Sequence, residues 1–249
     1  MLLKRILLLN CLSLGSLLVF AQTNIPIASV VPTAQTVSPI PAAYNPAAKI
    51  NYVRTWEPWK RINDPSLVPS QSVADVKQTT AYVDGLGRPI QTISKQISPL
   101  QKDMVAAKIF DDYGREQLQY LPYVSSGNDG QFKSNPFLEQ QTYYGTSSLN
   151  NNQYSGESVY YGLTVFENAP LGRTEKSMAP GNSWAGSGRG VSAQYMNNTV
   201  ADAVKLWTVA DAAGSVPLTN TTYGAGQLYK MITTDEHGKQ VVEYKDKQG

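Results

Sequence analysis

"YVDGLGR", Tyr82 to Arg88, and "FDDYGR", Phe110 to Arg115, decide how this chain is read. Each holds an Asp, two variable residues, then Gly and Arg. "FENAPLGR", Phe166 to Arg173, is a third version with Glu for Asp and two extra residues. "TDEHGK", Thr234 to Lys239, is a fourth with Lys for Arg, and "YKDKQG", Tyr244 to Gly249, stops one residue short of the basic position. Five related turns in one chain constitute an internal repeat.

The physics of the unit is local. A short Asp side chain accepts hydrogen bonds from amides two or three residues ahead and closes a turn. Gly supplies the positive φ that ends it without steric cost. The basic residue is expected to open the next strand with its charge in water. Apolar residues flank each turn: Tyr82 and Val83 before the first, Ile90 and Ile93 after it; Ile109 and Phe110 before the second, Leu118 and Tyr120 after it; Ile232 before the fourth, Val241, Val242 and Tyr244 after it. Strand, turn, strand is a β-hairpin signal, and such hairpins stack edge to edge over a shared buried face. Asp84, Gly87, Arg88, Asp111, Gly114, Arg115, Gly172, Arg173, Asp235 and Gly238 are therefore read as architecture, and the fold class as all-β: antiparallel hairpins with long polar loops.

Composition agrees. Only 16% of the 249 residues are charged, and Ser, Thr, Asn, Gln, Gly and Tyr take their place. That mix favours strands and turns. Fifteen Tyr stand against five Phe, a residue suited to half-buried pleated surface with its hydroxyl wet.

Residues 1–21 read as a secretory signal peptide. Lys4 and Arg5 precede an apolar run from Ile6 to Phe20, and Val19-Phe20-Ala21 offers small residues for cleavage before Gln22. The run is short for a membrane span, so no span is expected after cleavage. Export removes Cys11, the only cysteine, and leaves 19 basic against 19 acidic residues. A neutral chain without a basic run is a poor fit for nucleic acid or an anionic lipid surface.

Residues 22–49, uncharged until Lys49 and broken by five prolines, read as a disordered linker. Order is expected from Ile50, with a β domain over 50–222 and a repeat strip over 223–249. Ser72–Gln78 fits one helical turn or a strand. Asn198–Gly214 fits helix or strand, with strand favoured for Val204–Val209. Ser125–Pro136, Gly145–Ser158 and Gly181–Gly190 read as loops.

The hairpin units resemble the tyrosine-aspartate (YD) repeats of RHS proteins, most closely in "GQLYKMITTDEHGKQVVEYKDKQG", Gly226 to Gly249. The stretches "NYVRTWEPW", "TTAYVDGLGRPIQTI", "IFDDYGREQLQYLPY" and "FENAPLGRTEKSMAPG" resemble the N-terminal domain of unknown function that precedes those repeats in exported proteins of Bacteroidota. The resemblance implies a large secreted or surface protein. Its repeats wind into a β shell, and its partners are further YD repeats and a C-terminal effector. The chain departs from that pattern: it has no long repeat array, no RHS core segment and no effector. It reads as the front of such a protein, with the strip after Gly226 expected to fray until more repeats follow.

Chemical sites are weakly signalled. The turn carboxylates, Glu167 and Asp246 included, lack the clustered spacing of a calcium loop, so no metal is expected. His237 is the single histidine, at a turn position filled elsewhere by Leu86, Tyr113 and Leu171. That excludes a structural zinc site and disfavours a Ser-His-Asp triad. "GSGRG", Gly186 to Gly190, lacks the Gly-Lys-Ser/Thr ending of a phosphate loop. Trp56 and Trp59 are candidate sugar-stacking residues, although packing is expected for them and for Tyr143, Tyr144, Tyr160 and Tyr161. A two-carboxylate glycosidase has no local signature. The expected function is a non-enzymatic structural domain with no cofactor, and the alternative is a carbohydrate- or surface-binding β module.

Overall fold

The computed structural model describes residues 40–45, 47–146, 148–154 and 156–248. The signal-peptide reading, and the linker reading up to residue 39, lie outside them. Thirteen strands run in chain order among the described residues: β1 (Asn51–Pro58), β2 (Val76–Val83), β3 (Pro89–Ser94), β4 (Met104–Ala107), β5 (Leu118–Tyr120), β6 (Tyr123–Val124), β7 (Tyr161–Phe166), β8 (Thr174–Met178), β9 (Val191–Asn197), β10 (Lys205–Thr208), β11 (Leu218–Thr222), β12 (Tyr229–Thr234) and β13 (Gln240–Lys245). One sheet has the order β1-β2-β3-β4-β6 and a second β13-β12-β9-β8-β7-β5, while β10 and β11 form a separate two-stranded hairpin. Every strand pairing is antiparallel. The chain is an antiparallel all-β protein with few helices.

The core sits where the two sheets meet. Tyr82, Ile93, Val105, Leu118, Tyr120, Tyr123, Phe137, Tyr144 and Tyr160 are buried there. Five of these are tyrosines, so the core must serve hydroxyls. Tyr123 donates to Glu139 Oε2 at 3.0 Å and Tyr144 donates to the Pro122 carbonyl at 2.7 Å. Tyr144 stacks on Tyr160 with ring centroids 5.5 Å apart.

Burial, and secondarily the neighbouring Tyr161, pushes the Tyr160 phenol up to about 12. A phenol whose folded-state value exceeds its unfolded value near 10 stabilises the fold fully below pH ~10 and loses that contribution as pH rises through the folded value. We expect ultraviolet phenolate titration to show these core tyrosines ionising only as circular dichroism reports unfolding. Ionisation near pH 10 with the fold intact would contradict the packing.

The helix Pro136–Thr146, α1, is absent from the sequence reading, which places a loop on either side of it. Pro136 opens it, where a missing N–H costs nothing, and Glu139 lies in its first turn, facing the positive helix end. Its buried positions Phe137, Gln140 and Tyr144 share one face at helical spacing. One of the three is polar, because the Gln140 side chain donates to the Leu121 carbonyl. That polar member hides the apolar period.

Order also begins before Ile50. Within the segment read as a linker, the Tyr44 amide donates to the Ser134 carbonyl at 2.7 Å and its ring meets Phe132 at 5.2 Å. Ser72–Gln78 resolves into a turn followed by β2, and Asn198–Gly214 into a short 3-10 turn at Val200–Asp202 followed by β10.

Candidate functional site

The turns at Asp84, Asp111 and Asp235 share one geometry, and the longer turn at Glu167 differs in that its Gly172 amide donates to the Ala169 carbonyl. In the first, the Asp84 amide donates to the Arg88 carbonyl at 2.9 Å and the Gly87 amide to the Asp84 carbonyl at 3.0 Å. Asp84 Oδ1 accepts from the amides of Leu86 and Arg88, both at 2.9 Å. The side chain thus reaches two and four residues ahead, while the backbone carbonyl takes the amide three ahead; the expected two-or-three pattern is corrected to this division of labour. Asp111 repeats it with Tyr113 at 3.0 Å and Arg115 at 2.8 Å, and Asp235 with His237 at 2.9 Å and Lys239 at 2.7 Å. Gly87, Gly114, Gly172 and Gly238 have φ of 79°, 77°, 69° and 80°.

Arg115 overturns the expectation that the basic charge lies in water, whereas Arg173 keeps its side chain about half exposed; all three arginines are paired with their own acid. Arg88 Nε donates to Asp84 Oδ2 at 2.8 Å, Arg115 Nε to Asp111 Oδ2 at 2.8 Å, and Arg173 Nε to Glu167 Oε2 at 2.7 Å. The Arg115 side chain is only 13% exposed. Each guanidinium then reaches past its own turn. Arg88 lies over the Phe110 ring at 4.4 Å, and Arg115 over the Phe166 ring at 4.8 Å. Arg115 Nη1 also donates to the carbonyls of Glu167 and Ala169 at 3.1 and 3.2 Å. Arg173 lies over Tyr195 at 5.0 Å. Each of the first two arginines thus caps the aromatic-acid step of the following turn, and the third clasps β9. A planar, weakly hydrated guanidinium can pair edge-on and stack face-on at once. Lys239, a point charge, makes no side-chain ion pair among the described residues.

This interlock separates two glycines that the sequence treats alike. Both need a residue that tolerates positive φ. A Cβ on Gly87 would meet open space, whereas one on Gly114 would fall 2.8 Å from Arg88 Nη1. Gly87→Ala should cost roughly 1 kcal/mol. Gly114→Ala should cost more, because it also displaces the Arg88 fork. Equal losses in chemical denaturation would contradict the interlock.

The carboxylates are held ionised. Burial alone would raise the Asp111 pKa, but hydrogen bonds from the Arg115 amide and side chain, its charge and the Tyr113 amide together hold it below the ordinary range. Hydrogen bonding with Arg173 lowers Glu167 in the same way. Carboxylates so occupied by donors are suited to closing turns and badly placed to move protons.

Two further clusters went unseen in the sequence. Asp103, fully buried, accepts from the Gln96 amide at 3.0 Å, the Gly130 amide at 2.8 Å and Lys133 Nζ at 3.1 Å. Lys133 Nζ also meets Asp129 at 2.7 Å. The buried Gln91 side chain accepts from the Lys133 amide at 2.8 Å and donates to its carbonyl at 3.0 Å. The loop after Ser125 is thereby clamped to β3 and β4. Asp202 accepts from Lys230 Nζ at 2.5 Å, the Tyr244 hydroxyl at 2.8 Å and the Thr199 amide at 2.6 Å, tying β12 and β13 to the turn after β9. Its pKa is lowered, first by Lys230. A long loop carrying Asp, Gly and Lys, such as "NDGQFK", gives no local signal of such long-range pairing.

The candidate ligand residues divide. Trp56 is half-buried in β1 with its Nε1 buried and without a hydrogen-bond partner. Trp59, just past the strand, is 65% exposed, against the expectation that it packs. Tyr144 and Tyr160 are buried, and Tyr143 and Tyr161 pack against the same core. His237 sits exposed in the fourth turn, with Nε2 3.3 Å from Arg189 Nη2. Among the described residues no cluster of His, Cys, Asp and Glu could hold a metal, and no helix is long and apolar enough to cross a membrane.

Residues 54–197, from within β1 to the end of β9, match the model of a family described as a domain of unknown function (DUF6443). The chain belongs to that family. Comparison with curated proteins and with solved structures returned no match. Within the DUF6443 region lie the first three turns and both arginines that reach across to the next turn; the fourth turn, Asp235 to Lys239, lies beyond it.

Proposed function

We propose that this DUF6443 chain is a non-enzymatic structural module of an exported RHS/YD-repeat protein, where it starts, plugs or anchors a β shell at or beyond the cell surface. The observation that carries this reading is the arginine interlock: a turn that pairs with its own acid and clasps the next turn is a device for linking successive turns in series, here across the two sheets. Supporting it are the basic, apolar and small-residue pattern of residues 4–21 and the exposure of β13, where Tyr244 alone is partly buried. Further YD repeats, and an effector carried behind them, are the partners this reading assigns. An edge strand with exposed Val241 and Val242 invites another strand beside it.

Hydrogen exchange tests the proposal. Amides of Val241 to Lys245 should gain protection in a chain extended by several YD hairpins, relative to the chain described here. Equal, strong protection in both would mean that the edge is already closed, and the reading as a shell-starting module would be wrong.

A further inference from the structure

We infer that the face of the second sheet over β9, β12 and β13 is a binding site for a neutral carbohydrate. The cross-strand register builds its floor. Asn197, Tyr229 and Lys245 form one row, and Tyr195, Met231 and Glu243 the next, since residues directly opposite in antiparallel strands share a face. Arg173 closes the end beside Tyr195. The groove so formed holds about 410 Å³, within the range of small-ligand sites.

Its chemistry selects the ligand. Tyr229 is 62% exposed at the centre of its row, and its ring is an apolar plate of the kind on which the C–H face of a sugar lies. All three lining cations are already paired: Lys245 with Glu243 at 3.2 Å, Arg173 with Glu167 at 2.6 Å and Lys230 with Asp202 at 2.5 Å. The groove therefore offers little net charge to an anion. It does offer donors (Asn197, Lys245, Arg173) and acceptors (Glu243, Asn197) on either side of the aromatic floor. Hydroxyl groups donate and accept at once, so a polyhydroxylated neutral ring answers that alternation. This site is distinct from Trp56 and Trp59 and does not depend on the shell-starting role.

The test is calorimetric titration of the chain with cellohexaose, maltohexaose, mannohexaose and xylohexaose. Saturable binding of at least one is expected. Tyr229→Ala should weaken it by roughly tenfold or more, a loss of one aromatic stacking contact, without changing the melting temperature, because the ring is largely exposed. Trp59→Ala should leave binding unchanged. No saturable binding to any of the four overturns the inference, as does binding that survives Tyr229→Ala or vanishes with Trp59→Ala. Concentration-dependent self-association that Tyr229→Ala abolishes would assign the face to a second copy of the chain and also overturn it.

Discussion

Asp103→Ala is expected to destabilise the domain by roughly 3–5 kcal/mol, the usual range when one partner of a buried ion pair is removed. Asp103 is fully buried, and the Lys133 side chain is 9% exposed. Burial acts to lower the Lys133 pKa, but hydrogen bonds and charge from Asp129 and Asp103 hold it above its ordinary value. Removing Asp103 strips that ammonium of its buried partner and orphans the amides of Gln96 and Gly130. Chemical denaturation measures the loss. Asp103→Asn retains an acceptor but loses the charge, and should fall between wild type and Ala. Exchange of the Gly130 amide should rise in the Ala variant, because Gly130 then loses its acceptor while Gln91, Gln96 and the backbone bonds of Asp103 still hold the rest of the loop. An Ala variant within about 1 kcal/mol of wild type would show that the clamp does not hold the loop.

Arg115→Ala should rank beside it, at about 3–4 kcal/mol, since one side chain is lost from a paired carboxylate, two carbonyls and the rings of Phe166 and Tyr113, each 4.8 Å from the guanidinium. Asp111, with its side chain 4% exposed, would be left with only amide and Gln117 donors. Arg115→Lys should recover less than half of the loss, because an ammonium cannot pair edge-on and stack face-on together. The Arg115 loss should couple with Phe166→Leu in a double-mutant cycle, since the guanidinium lies over that ring. Strict additivity would remove the cation–aromatic contact from the account. Acid should mimic part of the effect. Asp111 has a folded-state pKa below its unfolded one, so its contribution is present above the unfolded value near 4 and fades as pH falls through the folded value.

The acid-x-x-Gly-basic turns were legible because everything that closes them lies within about five residues: Asp84, Asp111 and Asp235 bond amides two and four ahead, and glycine supplies the positive φ. Alternating apolar residues beside them, such as Tyr82 and Ile93, gave the strand class for the same local reason. The helix Pro136–Thr146 was not legible, because its buried face includes Gln140, whose polarity is answered only by the distant Leu121 carbonyl. The buried Asp103–Lys133 pair and the tie between Asp202 and Tyr244 join residues 30 and 42 positions apart. The arginine reach from Arg115 to Glu167 spans 52.

By itself, then, the sequence determined the turns and the antiparallel strand class, but not which turns close hairpins: β4 and β5, on either side of the Asp111 turn, lie in different sheets, against the hairpin expected there. Tertiary structure alone decided where the arginine charges go, which loop is pinned, and which tyrosines are core and which, like Tyr229, are left on an open face. The physical reason is range. A turn is set by backbone sterics and hydrogen bonds within one short segment, whereas the partner of a charge or a ring is set by whichever segment the packed chain brings to it.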